Sequence, residues 1–228
     1  MTVFRHLFLV VLLCSSAVAK PDDDAGLLAP VFDDAETRPV LQYVKDGDWV
    51  KVRDALLALS RPGFSHPHLA RLRFLLGLAC VRTQDWQGAV LVLDALEEAA
   101  PLVLDRICYL RGLALARLDR FDEAALSLSR VPKDSAVYKD AAMALAEALT
   151  AAGRVPEAAD AWLAALAARP LDPDTTLATF DALLAAGRRE EAKSLLRKAY
   201  FDSPGPGRKA YRAALERIGA PPDNPTPE

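Results

Sequence analysis

An alanine that closes a short turn motif recurs at residues 89, 124, 158 and 192. The motifs read Asp85-Trp86-Gln87-Gly88-Ala89, Asp119-Arg120-Phe121-Asp122-Glu123-Ala124, Gly153-Arg154-Val155-Pro156-Glu157-Ala158 and Gly187-Arg188-Arg189-Glu190-Glu191-Ala192. A fixed period of 34 to 35 residues leaves few solutions. The natural one is a stack of two-helix units, each burying its apolar side on its neighbours. Composition agrees: the chain is 52% hydrophobic and 7% aromatic, with alanine and leucine dominant, which suits a large helical core. The net charge of -3 and pI near 5.7 do not point to a nucleic-acid partner, which would need a clustered basic excess.

The first nineteen residues stand outside this pattern. Arg5 and His6 give a charged start, Leu7 to Leu13 is an unbroken apolar run, and Ala17-Val18-Ala19 precedes Lys20. Charged start, apolar middle and a small-residue exit predict a secretory signal peptide over 1–19, cut after Ala19. The run is too short to span a bilayer. Cys14 does not mark a lipid anchor, because bulky Leu13 stands where that signal wants a small residue. The expected product is exported, periplasmic or secreted, with no membrane span after cleavage. Residues 20–32 form an acidic leader containing Asp22-Asp23-Asp24, and residues 219–228 a proline-rich tail expected to be extended or disordered.

The repeats resemble the tetratricopeptide repeat, the TPR. Counting the closing alanines as position 20, the family's small position 8 falls on Gly77, Gly112, Ala146 and Phe180. Its large apolar position 24 falls on Leu93, Leu128, Trp162 and Leu196, and its proline position 32 on Pro101, Ala136, Pro170 and Pro204. Close approach of the two helices at positions 8 and 20 explains the small residues, and proline ends the second helix because it cannot continue the ladder. Position 15, the turn, reads Gln84, Asp119, Gly153 and Gly187, with Gln84 the poorest fit to a left-handed turn. A degenerate first unit surrounds Tyr43 to Trp49, where Val40 and Val52 replace both small residues, and Gly207 to Ile218 reads as a capping helix. The resemblance implies an all-α, right-handed α-solenoid of about five hairpins plus that cap over 33–218. In this register Cys80 and Cys108 lie too far apart for a disulfide and are expected to be free thiols.

No catalytic constellation is visible: no nucleophile elbow, phosphate loop or HExxH motif. The chain is therefore read as non-catalytic, with no cofactor and no metal. His66 and His68 flank Pro67, but two histidines without further ligands read as loop. Arg111 stands where the family has leucine, and its stem is expected to pack while its head reaches water.

The resemblance implies that the first helix of each hairpin lines a concave groove with positions 2, 5, 9 and 13. Those positions place Arg71, Phe74, Leu78 and Arg82 on one helix and Arg106, Tyr109, Leu113 and Arg117 on the next. This gives either an apolar floor edged by arginine or residues buried by packing within the array. The following two repeats turn acidic, with Asp140, Glu147, Asp174 and Asp181. The carboxylate clamp of chaperone-binding members is not seen. The expected function is a scaffold that binds a protein or peptide, cell-envelope machinery included, through this groove. The ligand would be an apolar and acidic segment, of which the leader Asp22 to Phe32 is an internal candidate. The rival reading is a helical module of a soluble lytic transglycosylase system. The stretch from Ala186 to Pro204 is similar in style to those arrays, but no catalytic domain follows within this sequence.

Overall fold

A computed structural model describes residues 31–60, 64–170, 172–202 and 206–222. The predicted signal peptide and nearly all of the acidic leader lie outside these residues, as does the end of the tail. All regular structure among the described residues is helical. The eleven α-helices are α1 (Arg38–Asp46), α2 (Trp49–Leu59), α3 (Leu69–Arg82), α4 (Trp86–Asp94), α5 (Leu104–Arg117), α6 (Phe121–Ser129), α7 (Tyr138–Ala151), α8 (Val155–Ala168), α9 (Pro173–Ala185), α10 (Arg189–Asp202) and α11 (Pro206–Arg217). None is long and apolar enough to cross a membrane. The chain divides into two compact units, Met1–Asp85 and Trp86–Glu228.

The turns explain why helices alternate. Gly47, Gln84, Asp119, Gly153 and Gly187 all hold positive φ, between 57° and 74°. Each sits at position 15 of its repeat and bends the chain back with the same bond. The N–H of the next residue returns to a carbonyl five residues earlier, as in Asp85 to Cys80 at 2.9 Å and Arg120 to Leu115 at 3.0 Å. This left-handed cap satisfies the orphan carbonyls of the outgoing helix. In three repeats the arginine that follows is braced by a glutamate three residues on: Arg120 by Glu123, Arg154 by Glu157 and Arg188 by Glu191.

In the first unit α1 packs on α2 and α2 on α3, with Val40 and Val52 fully buried in place of the usual small residues. His66 ties the α2–α3 connector to the start of α1. Its Nε2 bonds Asp34 at 2.8 Å, and its Nδ1 accepts from the His68 N–H at 3.0 Å. Loop organisation therefore accounts for these histidines.

In the second unit each helix from α4 to α11 packs on the next in chain order, α5 also meets α7, and α9 meets α11. The closing alanines and position-24 side chains make the core: Ala124, Leu128, Ala192 and Leu196 are buried. A Cβ built on Gly112 would lie 2.5 Å from Cγ of Leu128. The close approach that demands a small residue at position 8 thus includes position 24 of the same hairpin. The last core gathers Phe180, Leu183, Leu196, Tyr200, Tyr211 and Leu215, so α11 covers the end of the unit as a cap. Cys80 and Cys108 are both free and buried; burial pushes the Cys80 thiol up to about 11 and raises Cys108 also.

Candidate protein-binding face

The predicted groove residues fall on α3 in the first unit and α5 in the second. On α3, Arg71 is exposed, but Phe74 and Leu78 are only 3% and 4% exposed and belong to the core. On α5, Tyr109 is buried and Leu113 half-buried. The open apolar floor is therefore corrected: three of its four side chains are buried. Burial pushes the Tyr109 phenol up to about 12, with the charge of Asp140 adding to the effect.

Arg71, Arg82 and Arg117 keep access to the surface, each in its own setting, while Arg106 does not. Arg82 is half-buried, with its guanidinium carbon 4.6 Å from the centre of the Trp49 ring, and burial lowers its pKa. Arg117 is exposed and lies 6.0 Å from the centre of Trp86. The two arginines hold position 13 of successive repeats, and the two tryptophans hold position 17. Within each unit, then, the same repeat device stacks a cation on an indole face. Such stacking supplies modest attraction and fixes the guanidinium plane, so less side-chain freedom is lost when a carboxylate arrives. Arg117 has no carboxylate at ion-pair distance among the described residues. Arg106 is buried: its Nη1 is 3.3 Å from Asp105, and its enclosed Nε has no hydrogen-bond partner. Asp105 also accepts from Ser135 Oγ at 2.5 Å. An open cleft of about 480 Å³ lies here between connectors of the second unit, lined by Leu102, Arg106, Arg130, Pro132 and Ser135 among others.

The acidic continuation on α7 and α9 is partly neutralised from within. Asp140 pairs with Arg169 and Asp181 with Arg217, leaving Glu147 and Asp174 exposed. Arg111 departs from expectation. Its head is engaged by Asp94 at 2.9 Å and Glu97 at 3.4 Å, while Glu97 also takes Arg130 at 2.5 Å. It is a clamp between α4 and α5, with the α4–α5 connector supplying Glu97. The tryptophan supports were also missed, although their 37-residue spacing to one another was a signal in the sequence.

Residues 109–173 match the tetratricopeptide repeat family model. Solved structures of MamA have the same fold. MamA AMB-1 matches at TM-score 0.58 and 23% identity, over 73% of this chain and 96% of that one. The MamA RS-1 ArsTM double mutant matches at TM-score 0.60 and 16% identity over 88% and 98%. A further MamA crystal structure matches at 0.61 and 18% over 79% and 93%. No curated protein matches. The fold is that of a TPR-type array of helical hairpins.

Proposed function

We propose that this chain is an exported, non-catalytic scaffold that holds acidic polypeptide segments at the arginine–tryptophan stack within each unit. Export rests on the sequence of residues 1–19. The reading of the face rests on one observation: Arg82 and Arg117, at equivalent repeat positions, each lie on a tryptophan ring. Stacked guanidinium groups favour paired, geometrically defined contact with carboxylates. The expected ligand is thus an acidic segment, and the leader around Asp22-Asp23-Asp24 competes for the same groups. Affinity comes mainly from the charged rim, since the apolar residues between the arginines are mostly core.

Capture of partners from envelope extract by the full chain tests this. Charge reversal of Arg82 and Arg117 to Glu should weaken capture with helicity unchanged. Phe74→Ala and Tyr109→Ala should lower the melting temperature first, because those rings are buried. Capture unaffected by both reversals at equal stability would remove the face from consideration.

A further inference from the structure

The basic charge of this chain gathers in its last hairpin. From Arg188 to Arg217 there are nine Lys or Arg and four Asp or Glu, so a chain of net charge -3 is strongly acidic elsewhere. Several of these cations are already used. Arg188 bonds Glu191 and Asp160, Arg217 pairs with Asp181, and Lys193 lies 3.7 Å from Glu190. Arg208 and Arg212 are different. Both are exposed, one turn apart on α11, with guanidinium carbons 4.6 and 5.7 Å from the centre of the Tyr200 ring. Arg212 also donates to the Tyr200 hydroxyl at 2.7 Å. Among the described residues no carboxylate stands within ion-pair distance of either; the field of Glu216 reaches Arg212 without forming a pair.

This arrangement carries two electrostatic costs. Like charges at i and i+4 on a helix repel. Arg208 and Lys209 also occupy the first turn of α11, which holds no acidic residue, and the positive end of a helix dipole disfavours cations there. A bound anion would relieve both. Beside the pair, Phe201 meets Tyr200 edge-on at 5.2 Å and leaves 48% of its surface exposed. Exposed Lys198 lies three residues earlier, on the same side of α10.

We propose that Lys198 and Phe201 on α10, with Arg208, Lys209 and Arg212 on α11, form a docking face for an anionic phospholipid surface. The guanidinium fork matches phosphate oxygens in pairs. An exposed aromatic ring among cations is the composition of an interfacial anchor, which favours a bilayer over an acidic polypeptide. Each cation held near such a surface raises partition by about fivefold. This face is independent of the arginine–tryptophan device on α3 and α5.

Sedimentation of the full chain with phosphatidylglycerol vesicles, against phosphatidylcholine vesicles, tests the proposal. Contributions from the apolar run at 7–13 are common to every variant. The wild type should prefer the anionic vesicles, and less so as salt rises. Arg208→Gln combined with Arg212→Gln should lower that partition by about 30-fold. Lys198→Gln combined with Lys209→Gln, which leaves the Tyr200 contacts intact, should lower it comparably, guarding against an unsettled hairpin. Phe201→Ser should weaken binding without changing the salt dependence. Equal partition into both vesicle types, or phosphatidylglycerol binding that both glutamine pairs leave unchanged, overturns the proposal. Binding of soluble polyglutamate without vesicle binding overturns it too, and assigns the patch to acidic polypeptides.

Discussion

Gln84 holds a left-handed backbone at φ 61°, where the equivalent Gly153 and Gly187 hold 72° and 74°. The conformation costs a side-chain-bearing residue about 1–2 kcal/mol, and glycine returns about 0.5–1 kcal/mol of that through its freer unfolded state. Gln84→Gly should therefore stabilise by roughly 0.5–1 kcal/mol in urea unfolding, while Gly153→Ala and Gly187→Ala should each cost about 1 kcal/mol. No atom lies within 4 Å of a Cβ at either glycine, so the loss reads backbone conformation alone. Gly112 is the contrasting case, since its new methyl would strike Leu128, which is only 2% exposed. Gly112→Ala should cost about 1–3 kcal/mol. Leu128→Ala in the same chain should recover part of it, seen as a coupling in a double-mutant cycle. These positions were legible in the sequence because a left-handed cap and a close approach each admit few residue types. Burial at Phe74 and Leu78 was not. Periodicity tells which side of a helix a residue occupies, and not how deeply that side is buried.

Helix α9 shows how an element's start is set by charge. Asp172 precedes it and accepts from the Thr175 N–H at 2.9 Å and from the Thr175 hydroxyl. Those bonds hold its carboxyl below the unfolded value near 3.8, the side-chain bond first and the backbone bond next. A depressed carboxyl pKa adds stability above the unfolded value, and that stability is lost as pH falls through the folded value. On acidification below about pH 4, the wild type should thus lose stability that Asp172→Asn retains, with the two similar at neutral pH. Asp172→Ala should lose about 1 kcal/mol at neutral pH. Thermal melts across the acid range check both; parallel acid limbs for wild type and Asp172→Asn would contradict the assignment. The cap itself is legible as Asp172-Pro173, an N-cap residue type followed by a first-turn proline. The Arg111 clamp is not, because its partners Asp94 and Glu97 lie outside its own helix, beyond any spacing rule.

At the scale of the whole molecule, one repeat unit is read many times with different surface charge. The period of 34 to 35 residues led directly to the helical fold, since the same turn, alanine and large apolar residue recur in four repeats. Surface function is less legible, because stacking of Arg82 on Trp49 and of Arg117 on Trp86 depends on side-chain direction. In the proposed scaffold, each unit holds partners where its own arginine stands on tryptophan. The most direct test places a photo-crosslinking amino acid at Ala151, exposed at repeat position 13 where α7 ends, and separately at Leu126, exposed on second helix α6. Adducts are then read in cells by mass spectrometry. A polypeptide adduct is expected from position 151, and it should disappear when Arg117 of the same unit is changed to Glu. An adduct from position 126 alone, or one at 151 that survives the reversal, would contradict the proposed face.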